Sequence, residues 1–182
     1  MKNIVIQGAG YVGSAFASVC ANAKKKNKYL FKVSIVEKKE KKKLIDKINS
    51  GRFPHETNDL RLNKLFKSRV KKNLHATSDC NIYKKADIVV SCISFDCGLS
   101  RVSFNKNKKI YEKNIEEIAK KITSNTLIII QSTLPPGFTN MFIKKKIENI
   151  FKSRKLPTNK ILLAHSFERV MPGKNYFDSI AN

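Results

Sequence analysis

The sequence predicts an α/β fold, a doubly wound, mostly parallel sheet of about six strands in a three-layer αβα arrangement. Short, nearly continuous runs of Val and Ile are typical of strands that are buried on both faces. Amphipathic or Ala-rich helical segments separate these runs, and right-handed crossovers between parallel strands favour an open sheet. A chain of 182 residues is long enough for one domain with a sizeable core.

The predicted elements alternate along the whole chain. The β-branched, apolar runs predict strands at residues 3–7, 31–36, 72–76, 86–94, 126–131 and 160–164. Helical spacing or Ala-rich composition predicts helices at residues 14–26, 38–49, 60–66, 107–122 and 138–151. In the longest of these helices, Ile110, Ile115, Ile118 and Ile122 fall on one face. Gly51 ends the helix predicted at residues 38–49, and residues 135–137 form the turn before the helix predicted at residues 138–151.

The strong positive charge favours compositional bias over a nucleic-acid partner. Lys and Arg number 37 against 14 Asp and Glu, for a formal net charge of +23. The basic residues are 31 Lys and only 6 Arg, alongside 17 Asn and 20 Ile, which are residues with A/T-rich codons. Proteins that read nucleic acids depend on Arg for bidentate contacts. We therefore expect no nucleic-acid partner, and no membrane partner, since no apolar run approaches the ~18 residues of a span.

The cysteines and histidines form no recognisable metal or disulfide pattern. Cys20, Cys80, Cys92 and Cys97 include no CxxC pair, and the three histidines are scattered. We expect no metal site and free thiols in a reducing compartment. The N-terminal apolar run is too short for a signal peptide, which predicts a soluble, cytoplasmic protein.

One motif carries chemistry, the GxGxxG formed by Gly8, Ala9, Gly10, Tyr11, Val12 and Gly13. It follows the first predicted strand and opens a helix, which is the context of a dinucleotide-binding turn of the Rossmann type. Gly8 permits the tight turn, Gly10 lets the backbone approach a pyrophosphate, and Gly13 allows close helix–sheet packing. The helix N-terminus then offers unpaired N–H groups to the phosphates, and Gly8, Gly10, Tyr11, Val12 and Gly13 are expected to bind the cofactor.

Glu37 completes this fingerprint. It closes the second predicted strand, 24 positions after Gly13, where an acid accepts hydrogen bonds from the ribose hydroxyls. Its charge repels a 2′-phosphate, so NAD is favoured over NADP. Lys38 and Lys39 beside it weaken that preference, and a solvated acid at a helix start is the alternative role.

With these residues placed, the chain resembles the N-terminal domain of the UDP-glucose/GDP-mannose dehydrogenase family, the NAD-dependent nucleotide-sugar 6-dehydrogenases. STLPPG together with ERVMPG makes the resemblance specific, and the ERVMPG form is more similar to the branch that oxidises N-acetylated sugars, the UDP-N-acetylmannosamine dehydrogenase-like branch. The matching segments run in order along the chain: GAGYVG (8–13), Glu37, DKINSGRFP (46–54), ATSD (76–79), ADIVVSCIS (86–94), QSTLPPGFT (131–139) and FERVMPGKNY (167–176).

The resemblance implies a reaction and roles for further residues. The family oxidises the C6 alcohol of a UDP- or GDP-sugar to a carboxylate with two NAD, and its enzymes are expected to be homodimers. Thr133 would lie at the nicotinamide and the reacting centre, although a hydroxyl that bonds its own turn is the alternative. Glu168 would assist proton transfer in the catalytic cleft, or else be a surface acid. Arg169 and Val170 match a segment that contacts the sugar nucleotide.

This sequence departs from the family pattern at three places. Phe167 replaces the usual Pro before the acid. Ser94 and Phe95 replace the usual Thr-Pro after the fourth strand; Ser94 keeps a hydroxyl for the cofactor, but the loop at residues 95–102 is expected to differ. The family chain is also more than twice as long and carries its catalytic Cys in the missing part. We therefore expect a fragment, a truncated product or half of a split enzyme, with residues 166–182 leading toward an absent substrate domain.

Two other functions remain open from the sequence. One is an NAD(P) enzyme of the 6-phosphogluconate or hydroxyacid dehydrogenase type, which shares the fold but for which STLPPG and ERVMPG are not typical. The other is a non-catalytic basic module that binds nucleic acid, which would show a steep salt dependence with DNA and no dinucleotide affinity.

Overall fold

The computed structural model describes residues 1–98, 100–168 and 170–181, and within them a parallel sheet forms the centre of the molecule. Its six strands lie in the order β5-β4-β1-β6-β7-β8, every neighbouring pair is parallel, and β2 and β3 form a separate antiparallel hairpin. The fold class is as predicted. The strands are β1 (Lys2–Gln7), β2 (Lys24–Lys25), β3 (Lys28–Tyr29), β4 (Phe31–Val36), β5 (Leu74–Thr77), β6 (Ile88–Ser91), β7 (Leu127–Ile130) and β8 (Leu162–His165).

Helices cover both faces of this sheet. They are α1 (Tyr11–Asn22), α2 (Lys42–Asn49), α3 (Leu60–Arg69), α4 (Arg101–Ala119), α5 (Lys145–Ser153) and α6 (Tyr176–Ala181). Short 3₁₀ turns at Lys39–Lys41, Cys80–Lys85 and Thr158–Lys160 and a π-helical turn at Thr139–Lys144 complete the described elements.

Two apolar cores lie on opposite sides of the sheet because successive strand residues point to opposite faces. In β1, Ile4 and Ile6 pack with α1, α2, α3 and α6, whereas Val5 between them packs with α4 and α5. The Ala-rich composition of α1 allows it to lie close to the sheet, and Ala15, Ala17 and Ala21 are fully buried there. The prediction that the strands are covered on both faces is confirmed for β1, β4 and β6, whereas β8 at the edge of the sheet is largely exposed.

Of the boundaries that differ from the sequence-based prediction, two have a clear structural cause. The first helix was expected to reach residue 26 but ends at Asn22, because Lys26 and Asn27 adopt positive φ angles and turn the chain into the hairpin. The longest helix begins at Arg101 rather than at residue 107. Ser100 and Ser103 form a capping box there, with Ser103 N donating to Ser100 Oγ at 3.2 Å, so the helix starts before its apolar periodicity does.

The C-terminal helix was not predicted, and it packs back onto the sheet domain. Tyr176 and Phe177 are buried against α1 and α3. A buried carboxylate anchors it: Asp59 Oδ1 accepts from Leu62 N at the start of α3, and Asp59 Oδ2 accepts from Phe177 N, both at 2.8 Å. Arg61 adds an exposed ion pair with Asp178 at 2.7 Å. Asp59 therefore caps α3 and also holds the start of α6.

We predict that Asp59→Ala lowers the free energy of unfolding by about 2–3 kcal/mol, since it removes a helix cap and leaves buried N–H donors without an acceptor. Urea unfolding followed by circular dichroism measures the change. Asp79→Ala is the matched control, because Asp79 caps a short helix in the same way but is exposed, and its loss should cost less than about 1 kcal/mol. Equal effects from the two substitutions would contradict the anchoring role of Asp59.

Candidate functional site

A cavity of about 910 Å³ lies at the carboxyl ends of β1, β4, β6 and β7. This is the edge at which open parallel α/β sheets bind ligands, because the strand order reverses beside β1. The cavity brings together residues that are distant in the sequence and that were predicted separately. The predicted site residues that line it are Gly8, Gly10, Tyr11, Val12, Glu37, Ser94, Thr133 and Glu168.

The glycine-rich turn has the geometry that its three glycines predict. Gly8 has a φ of +97°, a left-handed conformation that other residues rarely adopt. A Cβ on Gly13 would collide with the Gly8 carbonyl, so the first turn of α1 lies directly against the loop. A Cβ on Gly10 would meet nothing within 4 Å. Gly10 is therefore the position where the backbone is open toward the cavity.

The Glu37 side chain turns inward and joins the loop to β4. Its Oε2 accepts from Ala9 N at 3.0 Å, its Oε1 accepts from Lys38 N at 3.0 Å, and only 9% of the side chain is exposed. Lys41 Nζ lies 3.7 Å from Oε2. Glu37 is therefore not the solvated acid of the alternative interpretation, and Lys41 is the lysine nearest to its charge.

Hydrogen bonds of Ser132 hold the STLPPG turn in place. Its hydroxyl donates to the Ile93 carbonyl at 2.6 Å and accepts from Tyr111 Oη at 3.1 Å, while its carbonyl accepts from His165 Nε2 at 3.0 Å. This buried serine holds the next residue, Thr133, at the cavity wall with its side chain exposed. In the described part of the chain the Thr133 hydroxyl makes no hydrogen bond, so it does not close its own turn.

An aromatic cluster that was not predicted from the sequence holds the loop after β6 in place. The ring of Phe95 lies 4.9 Å from that of Phe138, 5.6 Å from that of Tyr111 and 5.8 Å from that of Phe104. Phe95, which replaces the usual Pro of the family, thus anchors the loop to α4 and to the segment after STLPPG. Its neighbour Ser94 faces the cavity as a result.

Glu168 lies just beyond β8 and reaches the same cavity. Its Oε2 accepts from Val170 N at 2.8 Å. Val170 is half-buried against the core on the α1 side of the sheet. Arg169, which the family resemblance assigns to the sugar nucleotide, lies outside the described residues.

The cysteines require one correction. Cys92 was expected within a buried strand, but β6 ends at Ser91 and Cys92 lines the cavity, donating from Sγ to Gln131 Oε1 at 3.4 Å. Cys97 is exposed on the loop that follows. Burial raises the pKa of the Cys92 thiol well above its usual range, so a thiolate is disfavoured there at neutral pH.

Further polar residues of the cavity were missed because their signals are weak in one sequence. Asn114 and Glu117 project from α4, and Cys80 faces them from the 3₁₀ turn after β5. Cys80 Sγ donates to Glu117 Oε1 at 3.1 Å, and burial together with this bond raises the pKa of Cys80 to about 11. Polar positions on an amphipathic helix look the same in the sequence whether they face water or a cavity.

Within residues 1–98, 100–168 and 170–181, no group of three or more His, Cys, Asp or Glu side chains could hold a metal ion. No helix there is long and apolar enough to cross a membrane.

Comparison with known proteins agrees with the fold and the motifs. The model of the UDP-glucose/GDP-mannose dehydrogenase family, NAD binding domain, matches residues 2–182. The UDP-N-acetyl-D-mannosamine dehydrogenase of Methanococcus vannielii is 29% identical over 184 aligned positions, which cover all of this chain and 38% of that protein. The chain thus spans less than two-fifths of the length of this relative.

Solved structures show the same fold at lower identity. The NDP-N-acetyl-D-galactosaminuronic acid dehydrogenase of Methanosarcina mazei superimposes with a TM-score of 0.79 at 24% identity, over 98% of this chain and 36% of that one. The UDP-D-ManNAc dehydrogenase of Pyrococcus horikoshii gives 0.75 at 23% identity, over 97% and 38%. Since the family model covers residues 2–182, the chain belongs to the UDP-glucose/GDP-mannose dehydrogenase family and constitutes its N-terminal NAD-binding part.

Proposed function

We propose that this chain is the NAD-binding part of a nucleotide-sugar 6-dehydrogenase that oxidises the C6 alcohol of a UDP-linked N-acetylated sugar to a carboxylate with two NAD. One observation carries the proposal: the glycine loop, Glu37, Thr133 and Glu168 line a single cavity although they come from four separate parts of the sequence. The first two serve a dinucleotide, and the last two match the family's catalytic segments. This juxtaposition supports a site in which one cavity would hold both the cofactor and the reacting part of the substrate.

The residues present fit NAD. The open backbone at Gly10 and the free N–H groups of the first turn of α1 suit a pyrophosphate. Glu37 would accept from the adenosine ribose, and Ser94 and Thr133 at the ends of β6 and β7 would lie toward the nicotinamide. NAD supplies the hydride-accepting chemistry when it is bound.

The remaining residues of the site would act on the sugar nucleotide. Glu168 would hold or transfer a proton in the cleft, since it is only half-buried and its Oε1 makes no hydrogen bond within the described residues. Arg169 and Val170 would contact the substrate next to it. The excess of lysine gives the surface a charge that suits an anionic UDP- or GDP-sugar. By family resemblance we expect the complete enzyme to be a cytoplasmic homodimer.

The sugar assignment rests on the relatives. The M. vannielii protein carries the name of a UDP-N-acetyl-D-mannosamine dehydrogenase, and the ERVMPG segment of this chain is of the form that we associate with N-acetylated substrates. We therefore place the substrate among UDP-N-acetylated hexoses rather than UDP-glucose. A panel of UDP- and GDP-sugars, offered to the complete enzyme, tests this choice through the kcat/KM for each sugar.

The first prediction of this function concerns the glycine-rich loop. Gly10→Val should weaken NADH binding by about 100-fold or more, because its side chain would occupy the pyrophosphate position. The fold should survive, since the added Cβ meets no atom within 4 Å, and the poorer helix cap costs only about 1 kcal/mol. NADH fluorescence titration measures the affinity, and circular dichroism measures the stability.

Gly13→Ala is the contrasting variant. Its Cβ would collide with the Gly8 carbonyl, so the substitution should reduce the stability of the fold as well as binding. Undiminished NADH binding by Gly10→Val would refute the placement of the loop.

The second prediction concerns cofactor choice. Glu37→Ser should narrow the NAD/NADP affinity ratio by about tenfold or more, because the repulsion between the carboxylate and a 2′-phosphate is lost. Glu37 also holds Ala9 N, so both affinities should fall, and the ratio rather than either affinity is the measurement. Glu40→Ser removes one charge from the same rim and is the control, with an expected change below about twofold. A wild-type preference for NADP would show that the neighbouring lysines dominate.

The third prediction concerns activity. We expect the 182-residue chain alone to produce no NADH from NAD and any UDP- or GDP-sugar. Both thiols that line its cavity in the described part of the chain, Cys80 and Cys92, are disfavoured as thiolates, and the sugar lacks a second wall that excludes water. Absorbance at 340 nm follows the reaction. Two NADH per sugar from this chain would show that it needs no further catalytic part and would make Cys97 and Cys92 the residues to replace next.

A further inference from the structure

We propose that His55 is a positioning residue for NAD binding. It holds the glycine-rich loop in its binding conformation from a place outside the cavity lining. His55 lies in the connection between α2 and α3 and is not among the residues that line the cavity. It would therefore act through the loop rather than by touching the cofactor. The inference rests on the proposed NAD-binding function of the loop.

The contact is made to a single peptide of the motif. His55 Nε2 lies 2.8 Å from the Ala9 carbonyl, which also accepts from Ser14 Oγ at 3.0 Å. A carbonyl oxygen only accepts, so Nε2 carries a proton and donates. Ala9 is 1% exposed, so its carbonyl cannot exchange these partners for bulk water. Because Ala9 N donates to Glu37 Oε2, both the N–H and the carbonyl of Ala9 are hydrogen-bonded.

Peptide planarity carries this restraint to the binding surface. The Ala9 carbonyl and the Gly10 N–H belong to one planar trans unit and point in opposite directions. Fixing the carbonyl with His55 and Ser14 therefore fixes the Gly10 N–H and the entry angle into α1. Gly10 is the open position of the loop, so the restraint acts where the pyrophosphate is expected.

The imidazole is itself held by aromatic rings. Tyr11, the first residue of α1, stacks on it with centroids 4.2 Å apart and an interplanar angle of 23°. The edge of Phe53 closes another side at 6.1 Å, and Phe53 is buried against Phe66 and Tyr176. Since Tyr11 also lines the cavity, His55 contacts the loop through both a hydrogen bond and a stacked ring.

The donor and the ring can be separated by substitution. His55→Gln places an amide nitrogen at about the reach of Nε2 and should keep NADH affinity within about twofold to threefold of wild type. His55→Asn is one methylene too short to reach the carbonyl, and His55→Phe keeps the stack without a donor. Both should weaken NADH binding about fivefold or more, the effect of one lost buried hydrogen bond.

The test is calorimetric titration of the 182-residue chain and each variant with NADH and with ADP-ribose, alongside their thermal midpoints. ADP-ribose keeps the pyrophosphate, so its affinity should fall by the same factor as that of NADH. His75→Gln is the matched control, because His75 pairs with Ser34 inside the sheet at 3.3 Å, away from the loop, and should leave both affinities unchanged.

Retention of wild-type affinity by the Asn and Phe variants would overturn the proposal. Equal weakening of NADH binding by His55→Gln and His55→Asn would also overturn the proposal. So would a lower thermal midpoint in all His55 variants with an unchanged NADH affinity of the folded protein. Failure of the wild-type chain itself to bind NADH would overturn the proposed function first, and the role of His55 with it.

Discussion

The first turn of α1 lies directly against the glycine-rich loop, and this close approach sets the position of the cavity. A side chain at Gly13 would collide with the Gly8 carbonyl, so only glycine allows the first turn of the helix to lie against the loop at the end of β1. That placement points the N-terminus of α1 into the space between the ends of β4 and β6. The cavity exists because the helix begins there, and its central position between two halves of a parallel sheet follows from the strand order.

The other parts of the site are held by single buried polar residues. Ser132 positions the STLPPG turn through two hydrogen bonds of its hydroxyl, and Asp59 ties the C-terminal helix to α3. The connection between α2 and α3 carries both Asp59 and His55, and thus contacts the cofactor loop and the segment that follows Glu168. A parallel sheet supplies the frame, while these few contacts set the positions of the loops at its edge.

Much of this architecture could be predicted because the signals are local. The apolar runs of β1, β4 and β6 and the spacing of the glycines are readable over a few residues, and the family model and the strand order confirm the fold that they predicted. The hairpin after α1, the early start of α4 and the α6 helix were missed, because they depend on positive φ angles, a capping box and one distant carboxylate. The sequence does not predict the contacts of Cys92, His55 and Phe95, which are visible only in the tertiary structure.

Hydrogen–deuterium exchange of the wild-type chain with and without NAD maps the cofactor site without any substitution. We expect NAD to protect the amides of the glycine-rich loop and of the segments that follow β4, β6 and β7, while the lysine-rich outer surface of α2 and the β2–β3 hairpin exchange as before. Protection confined to those lysine-rich surfaces, or no change at residues 8–14, would contradict it.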